Sequence, residues 1–176
     1  MEIRLADKNE YPAVRTFYHS LIDTMENAEF RPGWEKDVYP TPEFLINSIK
    51  NDELYIGTID GEIVSCMILN HECNDGYKKI RWSADAEDTD VFFIHALGVA
   101  PKFGKQGIAK DMVQKAFDAA RQQHISILRL DVLQGNTPAV KAYTKMGFQY
   151  MGTVQMFYED TGWTNFETFE YVIGQN

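Results

Sequence analysis

The sequence predicts an α/β fold in which a mixed β-sheet has helices packed on both of its faces. Apolar residues alternate along some stretches, as in strands, and recur every three or four residues along others, as in helices. Read in order, these stretches give one strand, two helices, three strands, a helix, a strand, a helix and two strands. The interleaving of helices with strands is typical of a sheet that is covered on both sides.

The first part of the chain contains one short strand and two helices. Residues 2–6 alternate in polarity, and the helical pattern that follows continues to about Met25. Residues 27–40 are polar and interrupted by proline and glycine, which predicts a loop. Thr41 and Pro42 suit the N-cap and the first position of a second helix. We expect this helix to bury its apolar residues, Leu45, Ile46 and Ile49.

A β-hairpin and a polar excursion occupy the middle of the chain. Residues 60–61, Asp-Gly, separate β-rich residues 54–59 from 62–69, and their tolerance of positive φ predicts a tight hairpin turn. Residues 70–90 are polar, and we expect an irregular excursion with a strand around residues 77–82. Acidic residues end this excursion and recur near the C-terminus, where they form either a solvated surface or a site that attracts a cationic amine. They are Asp85, Glu87, Asp88, Asp90, Glu159 and Asp160.

The chain is organised around residues 91–123, where a β-rich run, a glycine-containing loop and a helical pattern follow one another. Pro101 ends the strand, because proline has no N–H group to donate to a sheet. After the helix we expect a strand over residues 124–133 and a further helix that starts at Thr137 and ends at Gly147. The last two strands are expected over residues 148–157 and 166–173.

Length and composition indicate a single globular domain over residues 1–176. The net charge of −9 argues against a nucleic-acid partner, which would require a basic surface. The N-terminal residues lack the basic start and apolar core of a signal peptide, and no apolar run is long enough to span a membrane. Two cysteines are too few for a disulfide framework, so we expect a cytoplasmic protein with no membrane partner.

The loop and helix start within residues 91–123 have the chemistry of an anion-binding site. The first turn of a helix has unpaired N–H groups and a partial positive charge, and glycines allow a phosphate to approach closely. Lys102, Lys105 and Lys110 add positive charge there, so we expect a ligand that contains a pyrophosphate. The glycine spacing matches neither a Walker A loop nor a dinucleotide-binding fingerprint. A strand-to-helix connection without a ligand is the alternative at this point.

Two motifs resemble the acyl-CoA site of the GNAT superfamily of N-acyltransferases. In residues 97–101, Leu-Gly-Val-Ala-Pro resembles the end of the family's central strand, and Gly107 and Ala109 match two fixed positions of its loop. Gly104 departs from the glutamine or arginine that is usual at the first loop position. The second motif is more specific, because residues 136–148 resemble Asn-x-x-Ala-x-x-x-Tyr-x-x-x-Gly-Phe at every fixed position.

This resemblance implies a fold, a cosubstrate and a set of binding residues. The fold is a GNAT-like α+β arrangement with a twisted, mostly antiparallel mixed sheet of about six to seven strands. Acetyl-CoA would be the cosubstrate. The residues expected to bind it are Leu97, Val99, Lys102, Gly104, Lys105, Gln106, Gly107, Ile108, Ala109, Asn136, Ala139 and Tyr143.

Two side chains are candidates for the proton transfers that amide formation requires. By resemblance, Tyr143 lies near the thioester sulfur, where its phenol would protonate the leaving thiolate; a packing role is the alternative. His95 has the pKa range of a general base, although a lone histidine in an apolar strand is more often a hydrogen-bonded core residue. Backbone N–H groups near Leu97 and Val99 are expected to stabilise the thioester oxygen. No zinc-ligand spacing is present, so we expect no metal site.

The sequence therefore predicts an N-acetyltransferase that transfers an acetyl group from acetyl-CoA to a primary amine by direct attack in a ternary complex. The acceptor would be a small metabolite or a protein amine. A catalytically silent CoA-binding domain that acts as a sensor or scaffold is the alternative, because Gly104 departs from the family pattern. Aromatic residues in or beside the loops either line an acceptor pocket or form the interface of a homodimer. They are Trp34, Tyr39, Trp82, Tyr158, Trp163 and Phe166.

Overall fold

A computed structural model describes residues 1–25 and 30–174 of the chain. Its strands are β1 (Glu2–Leu5), β2 (Leu54–Ile59), β3 (Glu62–Asn70), β4 (Val91–Val99), β5 (Ile127–Leu133), β6 (Gln149–Tyr158) and β7 (Gly162–Val172). Its α-helices are α1 (Tyr11–Met25), α2 (Pro42–Lys50), α3 (Ile108–Gln122) and α4 (Thr137–Lys145). The order of these elements is the predicted one. The loop predicted over 27–40 is observed from residue 30 onward, and residues 27–29 lie outside the described part.

The strands form a single seven-stranded sheet in the order β1-β2-β3-β4-β5-β7-β6. Neighbouring strands are antiparallel except for β4 and β5, which run parallel. α3 connects these two strands, because a parallel pair needs a crossover connection. The prediction of a mixed, mostly antiparallel sheet is confirmed.

Helices cover both faces of the sheet, as predicted. On one face, Met112 and Ala116 of α3 are fully buried against the sheet, which matches their spacing on one side of the helix. On the other face, α1 and α2 enclose a second core that includes Tyr18 and Leu45. Ile46 is 46% exposed on the outer side of α2, so the prediction that it is buried is wrong. Within the described ranges, no helix combines the length and the apolar character that crossing a membrane requires.

The parallel strands β4 and β5 separate partway along their length. Residues 91–93 pair with residues 127–129, whereas β4 continues to Val99 and β5 to Leu133 beyond this ladder. Each strand remains supported on its other side, β4 by β3 and β5 by β7. The result is an open wedge in the sheet, where the facing backbone groups of β4 and β5 are available to a ligand.

The excursion over residues 70–90 differs from the prediction. No strand forms around residues 77–82, and the described segment instead has short 3₁₀ helices at Asp75–Lys79 and Asp88–Asp90. Its conformation is determined by contacts with the sheet rather than by local periodicity. Glu170 of β7 accepts hydrogen bonds from the backbone N–H groups of Ser83 at 2.9 Å and Ala84 at 3.3 Å.

The final hairpin is longer than predicted. β7 begins at Gly162 rather than near residue 166, because Trp163–Asn165 pair with residues 155–157 of β6. These residues lie at the tip of an edge hairpin, where both faces are partly solvated and polarity need not alternate. β5 is correspondingly shorter than predicted, since it begins at Ile127 rather than at residue 124.

Candidate active site

A groove with a volume of about 1190 Å³ lies between the start of α3 and the helix α4. The strand end contributes Val99, and the loop before α3 contributes Gly104, Lys105 and Gly107. Four lysines line the groove, although the chain as a whole has a net charge of −9. They are Lys105, Lys110, Lys141 and Lys145. This local concentration of positive charge suits a polyanionic ligand.

The start of α3 presents free backbone N–H groups in this groove. The first intrahelical hydrogen bond joins the N–H of Asp111 to the carbonyl of Gly107 at 3.0 Å, so the N–H groups of residues 108–110 have no partner within the helix. Gly107 has a φ of 85°, and a Cβ atom added there would have no other atom within 4 Å. The position therefore combines a backbone that favours glycine with open space, as a bound phosphate requires.

Most of the residues predicted to bind the cosubstrate lie along this groove or in the cavity beside it. Two do not. Lys102 contacts the carboxylate of Glu62 at 2.6 and 2.8 Å and lies on the opposite side of the strand end. Gln106 is exposed and does not line the groove. Lys102 thus pairs with a nearby carboxylate and Gln106 is exposed to solvent, and their roles in binding the cosubstrate stay predictions.

A smaller cavity of about 130 Å³ occupies the wedge between β4 and β5. β4 contributes residues 94–97, β5 contributes residues 131–133, and the start of α4 forms a further wall. The aromatic residues Trp34, Tyr39, Tyr158 and Phe166 line this cavity, which matches the acceptor-pocket alternative. Of the other two, Trp82 packs against Arg129, and Trp163 is 65% exposed at the tip of the last hairpin.

β4 bulges where it borders the cavity. Cys66 of β3 pairs with Gly98 of β4, and Ile68 pairs with His95. Two residue steps along β3 are therefore opposite three residue steps along β4. The extra residue is accommodated at Ala96, whose φ of 49° lies in the left-handed region. The hydroxyl of Tyr18 donates a hydrogen bond to the Ala96 carbonyl at 2.8 Å, which holds the bulge from the α1 side. Leu97, the residue after Ala96, lines the cavity.

Asp131 of β5 is one of two acidic residues that line the cavity, and the other is Asp160. The Oδ2 atom of Asp131 accepts two hydrogen bonds, from the Tyr77 hydroxyl at 2.9 Å and from the Tyr158 hydroxyl at 3.0 Å. Burial raises the pKa of this carboxyl group to about 6, while the two tyrosines act in the opposite direction and nearby Asp160 raises it further. A carboxylate with this pKa can accept a proton near neutral pH.

Sequence reasoning missed Asp131. The signal that could have found it is an aspartate in the middle of the apolar strand Ile127–Leu133, directly before the Asn136 motif. A charged residue is rarely fully buried without a partner, so such an aspartate is a candidate site residue on physical grounds. Its two tyrosine partners could not have been found, since they are distant in sequence.

His95 lies in the cavity wall, where its ring is held by hydrogen bonds. Its Nε2 atom is 2.9 Å from the Glu72 carbonyl and 3.1 Å from Asn70 Oδ1. Because a carbonyl only accepts hydrogen bonds, Nε2 holds the proton of the neutral ring. Burial lowers the pKa of His95 to about 4. This geometry resembles the hydrogen-bonded core alternative, and the base role assigned to His95 from sequence stays a prediction.

Tyr143 and Asn136 lie where the cavity meets the groove. The Tyr143 ring packs edge-on against Phe148 at 5.6 Å, and burial raises the pKa of its hydroxyl, which therefore stays protonated near neutral pH. The side-chain oxygen of Asn136 accepts a hydrogen bond from the N–H of Ala139 at 3.2 Å and caps α4. Both features fix the side chains in the cavity wall; their catalytic and binding roles stay predictions.

Comparison with protein families gives a direct match to this architecture. The model of the acetyltransferase (GNAT) family matches residues 19–148, which include the wedge, the α3 start and the α4 motif. The chain belongs to the GNAT acetyltransferase family. The predicted fold and the predicted family are thereby confirmed, and the chain is an acyltransferase enzyme.

Individual GNAT relatives agree with this assignment. N-alpha-acetyltransferase 60 of Xenopus tropicalis is 25% identical over 173 residues, which cover 93% of this chain and 69% of the relative. A GNAT acetyltransferase structure from Streptococcus agalactiae superposes with a TM-score of 0.80 at 19% identity, covering 99% of this chain and 96% of that chain. YncA of Salmonella typhimurium, described as a putative acetyltransferase with its cofactor acetyl-CoA, gives a TM-score of 0.71 at 12% identity, with 100% and 95% coverage.

Proposed function

We propose that this GNAT protein is an N-acetyltransferase that transfers the acetyl group of acetyl-CoA to a primary amine by direct attack in a ternary complex. The observation that supports this most strongly is the position of Asp131 and Tyr143, which lie in the walls of one cavity at the open wedge of the sheet. The basic groove ends at the same place, since Ala139 lines the cavity while its neighbours Pro138 and Val140 line the groove.

The groove residues fit a CoA thioester. The free N–H groups of residues 108–110 and the lysines Lys105 and Lys110 would hold the pyrophosphate. The backbone of β4 near Leu97 and Val99 would pair with the amide groups of the pantetheine arm, as an added strand does at a sheet edge. Bound in this way, acetyl-CoA would supply an activated acetyl group, and side chains and backbone N–H groups of this chain would meet the other requirements of the reaction.

In the proposed reaction, the amine nitrogen attacks the thioester carbon, the new C–N bond forms and the C–S bond breaks. The ionised Asp131 accepts the proton that the acceptor ammonium must lose before or during attack. The Tyr143 hydroxyl has no hydrogen-bond partner among the described residues, and it donates its phenolic proton, or a hydrogen bond, to the departing thiolate. N–H groups at the β4 bulge stabilise the negative charge that develops on the acetyl oxygen.

Thermal unfolding with and without acetyl-CoA tests the first step of this proposal. A ligand at about one hundred times its dissociation constant adds about 2.7 kcal/mol of stability, which raises the midpoint of a chain of this size by roughly 5–10 °C. ATP, which contains phosphates but no pantetheine arm, is the control and is expected to give a smaller rise. No rise with acetyl-CoA at millimolar concentration would contradict the proposal.

Release of free thiol in the presence of a panel of primary amines tests the second step. We expect turnover with at least one amine and a fall in kcat of about 100-fold or more for Asp131→Asn. An Asp118→Asn variant is a suitable control, because Asp118 is an exposed residue of α3 whose partners are Gln114 and Arg121. Turnover that survives intact in Asp131→Asn would remove Asp131 from the mechanism.

A further inference from the structure

The segment before α2 makes a turn over residues 35–39 that carries part of the cavity wall. Trp34, directly before the turn, and Tyr39, at its end, both line the cavity. The carbonyl of Glu35 closes the turn by accepting hydrogen bonds from the N–H groups of Val38 at 3.1 Å and Tyr39 at 3.0 Å. The Tyr39 ring lies 5.9 Å from the Trp34 ring and 6.1 Å from the Tyr158 ring of β6, measured between centres. The position of Tyr39 in the wall therefore depends on how the turn is held.

Asp37, in the middle of this turn, is bound by two side chains of α1. Arg15 donates from Nε to Asp37 Oδ1 at 2.8 Å and from a terminal nitrogen to Oδ2 at 2.5 Å, so the guanidinium and the carboxylate form a bidentate pair. His19 Nε2 is 3.0 Å from Oδ1, because side chains four positions apart are neighbours on the surface of a helix. The Arg15 hydrogen bond lowers the pKa of Asp37 to about 2, with a smaller contribution from His19, so the carboxylate is ionised near neutral pH.

The backbone of Asp37 indicates that these contacts determine the conformation of the turn. Its φ is 62°, in the left-handed region, where an L residue other than glycine costs free energy, although aspartate and asparagine tolerate the region better than most. Such a conformation persists where the surrounding contacts over-determine it. The preceding residue, Lys36, forms an ion pair with Asp23, which also belongs to α1. Two consecutive residues of the turn are thus bound to the same helix.

The same helix also holds a second part of the cavity wall. Tyr18 of α1 donates its hydrogen bond to the carbonyl of Ala96 at the β4 bulge, and Ala96 lines the cavity together with Tyr39. The Tyr18 ring packs edge-on against Trp34, with 6.1 Å between the ring centres. α1 therefore supports both the β4 bulge and the turn that carries Tyr39, the first from its buried side and the second from its exposed side.

From this arrangement we infer that Arg15 is a positioning residue for the amine acceptor: through Asp37 it fixes the turn that carries Tyr39, and it thereby sets the affinity for the acceptor but not for acetyl-CoA. The inference rests on the proposed function, in which the acceptor occupies the cavity that Tyr39 lines. Among the described residues that line the cavity and the basic groove, neither Arg15 nor Asp37 is present, so their effect is indirect. The groove is lined by β4, α3, α4 and the loop before α3, and by no described residue of the turn.

Steady-state kinetics of Arg15→Gln test this inference. The acceptors are n-butylamine, cadaverine and a peptide with a free N-terminal alanine, each used with acetyl-CoA in a free-thiol assay. For every acceptor that the unaltered protein acetylates, we expect KM for the amine to rise about 3- to 10-fold, the effect of losing a partly exposed but bidentate ion pair. We expect kcat and KM for acetyl-CoA to change by less than about twofold, because Asp131 and the groove are unaltered.

Arg4→Gln is the matched control for the loss of a bidentate pair. Arg4 donates to the two carboxylate oxygens of Glu10 at 2.7 and 2.8 Å, and the exposure of this pair is comparable to that of Arg15 and Asp37. It lies in β1, of which no described residue lines the cavity. Arg4→Gln should lower the midpoint of thermal unfolding by a similar small amount and leave KM for the amine unchanged.

Asp37→Asn shows whether Arg15 acts through Asp37. Asparagine tolerates the same backbone conformation, but it offers the guanidinium one neutral acceptor in place of two charged oxygens. We expect KM for the amine to rise by at least about threefold, and the double variant Arg15→Gln with Asp37→Asn to stay within about twofold of Arg15→Gln alone. The N–H groups of Val38 and Tyr39 should exchange with deuterium faster in these variants and not in Arg4→Gln, because the turn opens more often.

The outcomes separate this role of Arg15 from the proposed function. An unchanged KM for the amine in Arg15→Gln, an equal rise in Arg4→Gln, or additive effects in the double variant would overturn the positioning role. Each of these results includes turnover by the unaltered protein, so the proposed N-acetyltransferase activity would stand. Absence of thiol release by the unaltered protein with every acceptor would overturn both.

Discussion

The hydroxyl of Tyr77 donates a hydrogen bond to Asp131 Oδ2 at 2.9 Å, although 54 residues separate them in the sequence. Tyr77 lies in a short 3₁₀ helix of the excursion between β3 and β4, and its ring is buried against the sheet. Tyr158, the last residue of β6, donates to the same oxygen at 3.0 Å. Together the two hydroxyl groups hold one carboxylate oxygen, and the other oxygen has no hydrogen-bond partner among the described residues.

We predict that Tyr77→Phe shifts the pH dependence of acetyl transfer. The Tyr77 hydrogen bond lowers the pKa of Asp131, which burial sets at about 6, so its removal should raise that pKa. The acid limb of the kcat/KM profile is expected to move to higher pH by about half to one pH unit. Tyr150→Phe is the control, because it removes a comparable hydroxyl hydrogen bond, to Thr153, at an exposed position. An unchanged profile in Tyr77→Phe would exclude this coupling.

Variants of Asp131 and His95 test which of the two residues is the general base. Asp131→Asn should lower kcat/KM by about 100-fold or more, since the cavity loses its proton acceptor. His95→Gln should lower it by less than about 10-fold, because a glutamine N–H can replace the Nε2 hydrogen bond to the Glu72 carbonyl. The measurement is kcat/KM across the pH range. A larger loss in His95→Gln, together with loss of the acid limb, would restore His95 as the general base.

The raised pKa of Asp131 also predicts how stability depends on pH. The folded protein binds this proton up to about pH 6, whereas the unfolded chain releases it near 3.8, the ordinary pKa of an aspartate side chain. The folded state therefore binds more protons between these values, and the contribution of Asp131 to stability decreases as the pH rises through this window. Asp131→Asn removes this effect, so its midpoint of thermal unfolding should exceed that of the unaltered protein above the window. At acidic pH the two midpoints should converge, and a constant difference would contradict the assignment.

Gly107 is predicted to matter for both stability and CoA binding. Gly107→Ala places an L residue at a φ of 85°, which should destabilise the fold by about 1–2 kcal/mol. Gly61→Ala is a matched control, because Gly61 has a φ of 80° and a Cβ there also meets no atom within 4 Å. Calorimetric titration with CoA should show a dissociation constant at least about 10-fold higher in Gly107→Ala alone. Equal affinities in the two variants would show that this backbone does not approach the ligand.

The parts of the fold that sequence alone predicted are those with a regular local pattern. The 3.6-residue spacing of α3 and the Asp60–Gly61 turn depend on neighbouring residues, so both were visible in the sequence. The Thr41 cap is equally local, since its hydroxyl accepts a hydrogen bond from the N–H of Phe44 at 3.0 Å. The excursion around Tyr77 was not predictable, because its conformation depends on residues of β5 and β7.

The residues of the candidate site likewise fall into those that a local motif predicted and those that depend on contacts distant in sequence. The helix start at Gly107 and the cap at Asn136 follow from short motifs, and both lie where the motifs imply. The pairing of Lys102 with Glu62, and of Asp131 with Tyr77, joins residues 40 and 54 positions apart. No local pattern encodes such contacts, so the place of Asp131 in the cavity became visible only in three dimensions.

A buried ion pair anchors the excursion that holds Tyr77. Arg129 Nε donates to Glu170 Oε2 at 2.9 Å, and the two side chains are only 4% and 1% exposed. The guanidinium also donates to the Ala84 carbonyl at 2.8 Å and lies 4.2 Å from the centre of the Trp82 ring. Trp82 in turn stacks on Tyr77, with 5.4 Å between ring centres. The ion pair and the Tyr77 hydroxyl are thus parts of one connected structure.

We predict that Glu170→Gln lowers the free energy of unfolding by about 3–5 kcal/mol, because it leaves the Arg129 charge buried without a counterion. Urea unfolding measures this loss. Glu167→Gln is the control on the same strand, because Glu167 is only half-buried and its change should stay within about 0.5 kcal/mol. A loss below about 1 kcal/mol in Glu170→Gln would mean that the pair is dispensable.

The double variant Arg129→Met with Glu170→Met tests whether the ion pair positions Tyr77 independently of its effect on stability. Replacing both members of a buried ion pair with apolar residues is often neutral for stability, so the double variant should regain most of what Glu170→Gln loses. It does not regain the hydrogen bonds that Glu170 accepts from the backbone N–H groups of residues 83 and 84, so the excursion and Tyr77 should remain less well fixed. The acid limb of kcat/KM should therefore move to higher pH, as in Tyr77→Phe, in a protein of near-normal stability. A normal pH profile in the double variant would mean that Tyr77 is positioned by its own packing and not by the ion pair.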